Sequence, residues 1–235
     1  MSERKFDDFD EWVSEYRDIH NNNIKISGTD SNYFSEFKII KVKEHEHNSE
    51  NIKILDLGCG DGNSEIYFRK YFPSAKIYGI DISEKSIAIA KSRNIPECYF
   101  NVYDGENIPY DDNVFDIIFI AGVLHHIDEK YHHSILKSCY RVLKNSGRIY
   151  VFEHNPYNPI TRKIVKDCVF DKDAKLVTAK NISEKLKNVG FNFTNINYTI
   201  FFPRFKFFKY LIAYERYLKW CALGAQYYIR SLKYE

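Results

Sequence analysis

Cysteine is sparse and unpaired in this 235-residue chain. Its five cysteines (Cys59, Cys98, Cys139, Cys168, Cys221) are scattered, odd in number, and nowhere form a CxxC pair. That excludes a zinc knuckle and a disulfide framework, and reduced thiols in a cytoplasmic setting are the expectation. No carboxylate and histidine set has metal-ligand spacing, so no metal is expected. No apolar run approaches the ~18 residues of a membrane span. Met1–Glu11 is charged and lacks an apolar h-region, so it does not read as a signal peptide. Charge of one sign is missing too: charged residues are 28% and the formal net charge is +2, which calls for no nucleic-acid partner. Aromatics, by contrast, are plentiful, with 19 Tyr and 18 Phe. The length suits one α/β domain with additions and a sizeable core.

The most informative stretch is Ile54-Leu55-Asp56-Leu57-Gly58-Cys59-Gly60-Asp61-Gly62-Asn63. An apolar run of this length reads as a strand buried on both faces. The glycines permit φ > 0 and close approach of a ligand, and the following helix start presents backbone N–H groups. This is a nucleotide-type site at the carboxyl end of a first parallel strand. The dinucleotide fingerprint G-x-G-x-x-G requires a third glycine where Asn63 stands, which disfavours an NAD-binding oxidoreductase. Asp56 in the strand and Asp61 in the turn would repel a pyrophosphate and suit a cationic nucleoside cofactor.

Ala75–Ile80 reads as the second strand, and Asp81 follows about twenty residues past the glycine turn, where an acid can accept from both ribose hydroxyls. Ile82 beside it can pack on an adenine. Ser83 is available to cap the next helix, Glu84–Arg93, which leaves Asp81 for the ligand.

With these residues in place, Ile54–Gly62 resembles motif I of the class I S-adenosylmethionine-dependent methyltransferases. The resemblance runs from Ile52 to about Gly190 and more weakly to both ends. It implies an α/β fold: a Rossmann-like doubly wound sheet, mostly parallel with one antiparallel strand, in order 3-2-1-4-5-7-6, under an N-terminal helical lid. It implies S-adenosylmethionine as cofactor and S-adenosylhomocysteine as product, held by Asp56, Gly58, Cys59, Gly60, Asp81, Ile82, Asp104, Gly105 and Ala121. In this resemblance Asp104 matches an aspartate that hydrogen-bonds the adenine amino group, and Gly105 leaves room for the ring edge. Asp104 also fits an Asx-turn. The Asn/Asp-Pro-Pro-Tyr sequence of the family's DNA-adenine and glutamine-modifying branches is absent after the fourth strand.

Two regions follow from this organisation: residues 1–50 as N-terminal helices and lid, and residues 51–235 as the catalytic domain. In the first, Phe9, Trp12, Val13, Tyr16 and Ile19 recur at helical spacing. Ser27-Gly28-Thr29-Asp30 reads as a turn and cap before a second helix, from which Tyr33, Phe34 and Lys38 are lid candidates. His45 and His47 read as an exposed linker. Further strands are expected at Tyr99–Val102, Phe115–Ala121, Arg148–Phe152 and Phe191–Phe202, and helices at Ser64–Tyr71, Asp128–Leu143 and Asn181–Val189. His132 and His133, adjacent on a helix, read as surface. An acceptor-pocket insertion is expected near residues 154–180, with Arg162 as an anion anchor. Phe207, Leu211, Tyr214, Leu218 and Cys221 recur at helical spacing and are expected to pack inward. Lys206, Lys209, Arg216 and Lys219 lie away from them, a solvated face or a weak peripheral membrane contact. Ala225–Leu232 reads as the returning edge strand that the family places antiparallel between strands five and six.

Methyl transfer from a sulfonium chiefly needs alignment and exclusion of water. An oxygen acceptor of high pKa also needs a base. The sheet edge supplies His125, His126, Glu153 and His154, and adjacent loop residues point differently, so one of His125 and His126 is expected to face the methyl. The expected function is methyl transfer to a small-molecule acceptor, O-directed before N-directed, with a sugar or sugar nucleotide as acceptor. A quinone or lipid acceptor at a membrane surface is the alternative, as is a non-catalytic scaffold. The chain is expected to act as a monomer or homodimer.

Overall fold

The computed structural model describes residues 28–47, 50–168 and 174–234. The amphipathic pattern at Phe9–Ile19 lies outside the described residues. Along the chain run α1 (Ser31–Lys43), β1 (Lys53–Leu57), α2 (Asn63–Tyr71), β2 (Lys76–Asp81), α3 (Glu84–Ser92), β3 (Cys98–Val102) and β4 (Phe115–Ala121). Then come α4 (Glu129–Val142), β5 (Leu143–His154), α5 (Pro159–Asp167), α6 (Ala179–Asn188), β6 (Phe191–Thr199), α7 (Lys209–Tyr214) and β7 (Gln226–Lys233). The strands form one sheet in the order β3-β2-β1-β4-β5-β7-β6, with β7 antiparallel to both β5 and β6. This is the order the resemblance implied.

Alternation along the central strands divides the core between two faces. Leu55, Leu57, Ile118 and Ile120 pack with Leu136 and Cys139 of α4 and Ile182 and Leu186 of α6. Ile54, Ile117 and Phe119 pack on the opposite face with Phe68 of α2 and Ile39 and Val42 of α1. Helices therefore cover both faces, which is why Ile54, Leu55 and Leu57 of β1 and all of β4 but Asp116 are apolar. β1 sits between β2 and β4, so its carboxyl end opens where the strand order reverses.

Local signals set several boundaries. Asp30 caps α1 by accepting from Tyr33 N–H at 2.9 Å. Ser83 caps α3 by accepting from Ser86 N–H. α2 begins at Gly62 with no side-chain cap, so its first N–H groups stay directed at the site.

Three sequence expectations are corrected. The segment after α1 is an exposed linker only at His47: Glu46 is 1% exposed and accepts from the Arg148 guanidinium and the Tyr150 hydroxyl, and half-buried His45 meets the Tyr228 hydroxyl. Only buried charge partners on β5, distant in sequence, explain that anchor. His132 is buried, not surface, because α4 turns it under the loop that follows β4. The tail does not pack as one helix. It is broken into α7 and two 3-10 turns, Lys206–Phe208 and Glu215–Tyr217, and Phe207, Leu211 and Tyr214 are exposed while Leu218 and Cys221 are half-buried. Helical spacing lost to local anchors: Glu215 accepts from the N–H groups of Phe201 and Phe202, and Lys219 C=O accepts from Tyr198 N–H.

Candidate active site

The glycine turn is tied to β2 from below: Gly58 and Cys59 N–H donate to Ile80 C=O at 2.8 and 3.2 Å. Gly58 has φ +78°, and a Cβ there would lie 2.4 Å from Cγ2 of Val123, so only glycine lets the β4 loop close over the turn. Gly60 has φ +53°, and a Cβ there would meet no atom within 4 Å, so this part of the turn faces an open cradle. Asp81, at the end of β2, joins the two loops: its carboxylate accepts from Gly60 N–H and Ser83 N–H, each at 2.9 Å. Cys59 is buried, and burial followed by the nearby carboxylates pushes its thiol far above the usual range, which makes it an inert neutral contact.

Asp61 is not directed at a ligand. Arg93 pairs with its carboxylate at 2.7 Å and also donates to its carbonyl. The acid that acts on Asp56 is instead Asp81. Asp56 is 2% exposed, and burial, reinforced by Asp81 and opposed by Lys38, pushes its carboxyl up to about 8. A buried acid that would ionise beside a positive charge is a fit for a cationic cofactor. Lys38 reaches from α1 into the field of Glu153 and Asp56, while burial depresses its own ammonium. α1 is fastened beside the turn, with Asn63 donating to the Ser35 hydroxyl at 2.9 Å. Tyr33 and Phe34 meet edge to face, and Tyr33 stacks on Phe37.

Ile82 is half-buried next to Asp81, and Ala121 is half-buried at the end of β4. The Asx-turn at Asp104 is present: its Oδ1 accepts from Glu106 and Asn107 N–H, both at 2.7 Å. The residue remains exposed, and Gly105 follows with φ +78°.

The histidines gather where β4 and β5 end. His125 is 3% exposed, and its Nδ1 lies 2.5 Å from Oε2 of Glu153, which is also 3% exposed. Oε1 of Glu153 accepts from Val123 and Leu124 N–H at 3.1 and 2.8 Å. Burial alone would raise the Glu153 carboxyl, but His125, His154 and the backbone donor outweigh it and hold it down to about 2. With Glu153 ionised, Nδ1 of His125 carries the hydrogen directed at Oε2, and Nε2 is the ring nitrogen that Glu153 does not engage. His126 is exposed, with its ring centroid 4.1 Å from that of His125, and His154 is half-buried at 5.4 Å.

Sequence reasoning missed the support beneath this cluster. His132 Nε2 donates to the carbonyls of Leu124 and Ile127 at 2.9 and 3.0 Å, and Lys185 donates to its Nδ1 at 3.0 Å. Burial and then Lys185 lower its pKa, so His132 is neutral and clamps the turn that carries His125. Its seven-residue spacing from His125, a loop residue, gave no periodic signal. Glu65, in the first turn of α2, was also missed. It is fully buried, and neither carboxylate oxygen has a hydrogen-bond partner among the described residues. Arg162 stands exposed on α5, away from these contacts. Among the described residues, no group of three or more His, Cys, Asp or Glu could hold a metal ion.

A family profile described as "Methyltransferase domain" matches residues 54–147. The chain is similar to the demethylmenaquinone methyltransferase of Thermotoga maritima, 34% identical over 106 residues, which are 45% of each chain, so it spans less than half of that relative's length. It is also similar to an uncharacterised protein of Methanocaldococcus jannaschii, 31% identical over 179 residues, which are 72% of this chain and 80% of the other. A crystal structure from Thermotoga maritima, described as an S-adenosylmethionine-dependent methyltransferase and possible histamine N-methyltransferase, superposes with a TM-score of 0.68. At 19% identity, covering 96% of this chain and 97% of that one, this is a likeness of fold.

Proposed function

The chain belongs to the class I S-adenosylmethionine-dependent methyltransferases, and on that ground we propose that it transfers a methyl group to an oxygen of a small-molecule acceptor, using His125 as base. The cofactor, when bound, supplies a methyl already activated by its sulfonium. Gly58 and Gly60 offer backbone at the turn, Asp81 a carboxylate for the ribose, Asp104 an acceptor for the adenine edge, and Asp56 a buried acid that ionises opposite positive charge. Cys59, Ile82, Gly105 and Ala121 contribute shape.

The observation that carries the oxygen reading is the buried His125–Glu153 pair. Glu153 fixes the tautomer of His125 and stabilises the imidazolium that forms when Nε2 takes the acceptor's proton. Glu153 itself is too acidic and too fully hydrogen-bonded to be the base. His126 and His154 border the ring and are assigned to acceptor contact. A nitrogen acceptor would need no such base.

A sugar or sugar nucleotide is the first acceptor to test. A quinone or lipid acceptor is the second, supported by the likeness to a demethylmenaquinone methyltransferase. The test is methyl transfer from radiolabelled S-adenosylmethionine to panels of sugar nucleotides and reduced quinones. Labelled product that disappears in His125→Ala, with unchanged cofactor affinity, supports the reading. Product formed at the parental rate by that variant overturns the base assignment.

A further inference from the structure

We propose that the segment from Phe205 to Leu223 is a docking surface for an anionic lipid bilayer. None of the residues in α7 or its flanking 3-10 turns is buried. Phe207 is 84% exposed, Tyr210 83%, Trp220 78% and Leu223 63%, and they are close neighbours in sequence. Several large exposed apolar side chains gathered in one short segment point to an interaction site.

The charges select the partner. Lys206, Lys209 and Arg216 are exposed among these rings, and no carboxylate among the described residues pairs with any of them. The one acid of the segment, Glu215, is turned inward: it pairs with Arg204 at 2.8 Å and accepts from Phe201 and Phe202 N–H. The outward face is therefore aromatic and cationic. Protein interfaces deplete lysine from their cores. Tyrosine, tryptophan and lysine together are the composition of the interface between headgroups and acyl chains.

The surface is bolted to the rim of the site. Arg204 lies 5.5 and 5.8 Å from the ring centroids of Tyr33 and Phe37 on α1. Asn155, which follows His154, donates to the carbonyls of Ala222 and Gly224, and Asn158 donates to that of Leu223. Tyr157 in that loop and Ile160 at the start of α5 are likewise exposed. Docking would bring the histidine end of the sheet to the headgroup layer.

The experiment is co-flotation of the full chain with phosphatidylcholine vesicles that contain or lack phosphatidylserine. The expected result is flotation with the anionic vesicles alone, weakened by salt. Lys206→Glu with Lys209→Glu should lower partitioning at least about ten-fold, and Phe207→Ser with Trp220→Ser should lower it comparably. Both double variants should keep the parental thermal shift with S-adenosylmethionine, which shows that they fold. Two results overturn the proposal: full chain that stays in solution, as it would if a second copy covered this face, and charge-reversed chain that floats as well as the parent. The readout does not depend on methyl transfer. Flotation without a cofactor shift would leave the docking surface standing and count against the reading of the site.

Discussion

Glu153 grips His125 and the turn that carries it with opposite oxygens: Oε2 meets the ring Nδ1 at 2.5 Å, and Oε1 accepts from Val123 and Leu124 N–H. Backbone and ring are thus set by one carboxylate. Glu153→Gln would place an amide N–H opposite Nδ1 and favour the other tautomer, removing the basic nitrogen. Turnover should fall by about 10²–10⁴-fold with little change in cofactor affinity. Steady-state kinetics beside calorimetric binding of S-adenosylhomocysteine would check this, and unchanged turnover would remove Glu153 from the mechanism.

His132 acts through that same turn. His132→Ala removes the ring donor from the carbonyls of Leu124 and Ile127, leaving Leu124 C=O with only the N–H of Ile127, at a cost of about 1–3 kcal/mol. Turnover should drop while the pH at which activity rises stays where it was, since the base is untouched. A shifted pH profile would instead implicate His132 in proton transfer.

Asp56 makes cofactor affinity depend on pH. Its carboxyl is pushed up to about 8, so it is mostly protonated at pH 7, and a cationic ligand favours the ionised form. Binding then releases a proton, and Kd should fall as pH rises from about 6 to about 8, at most about ten-fold per pH step of one. Asp56→Asn should flatten that dependence. The same raised pKa means that Asp56 favours the folded state below the ordinary carboxylate range and loses that contribution as pH rises towards 8. Titration calorimetry in buffers of different ionisation enthalpy would detect the proton directly.

Glu65 has no hydrogen-bond partner among the described residues, and burial followed by Asp56 raises its carboxyl well above the usual range. Its contribution to stability is full below the ordinary glutamate pKa and is lost as pH rises towards the raised one. Glu65→Met removes the burial cost and should raise Tm, by more at pH 8 than at pH 5. A lower Tm at both would show that Glu65 has a partner in solution.

Gly58→Ala should cost about 2–4 kcal/mol, from the positive φ and from the clash with Val123. Val123→Ala in the same chain should recover part of that loss and not the rest, because only the clash is relieved. Denaturant melts of the three chains would separate the two contributions.

Much of this site was legible in the order of residues. The glycine turn, Asp81 and the strand Phe115–Ala121 all follow from local patterns that burial on both faces imposes on a parallel sheet. Asp61 misled because a sequence shows a carboxylate and not its partner, and Arg93 stands on another helix. The tail misled because helical spacing competed with anchors on β6 and the 155–158 loop.

By itself the sequence determined the class of fold, the glycine turn at the end of β1 and the pool of candidate bases. These are properties of short-range periodicity, glycine geometry and residue chemistry. The tertiary structure alone decided which acids stay charged, which histidine is paired, and which face of the tail is left outward. Each of those depends on desolvation and on partners brought together by strands that cross over, and spacing along the chain carries no record of either.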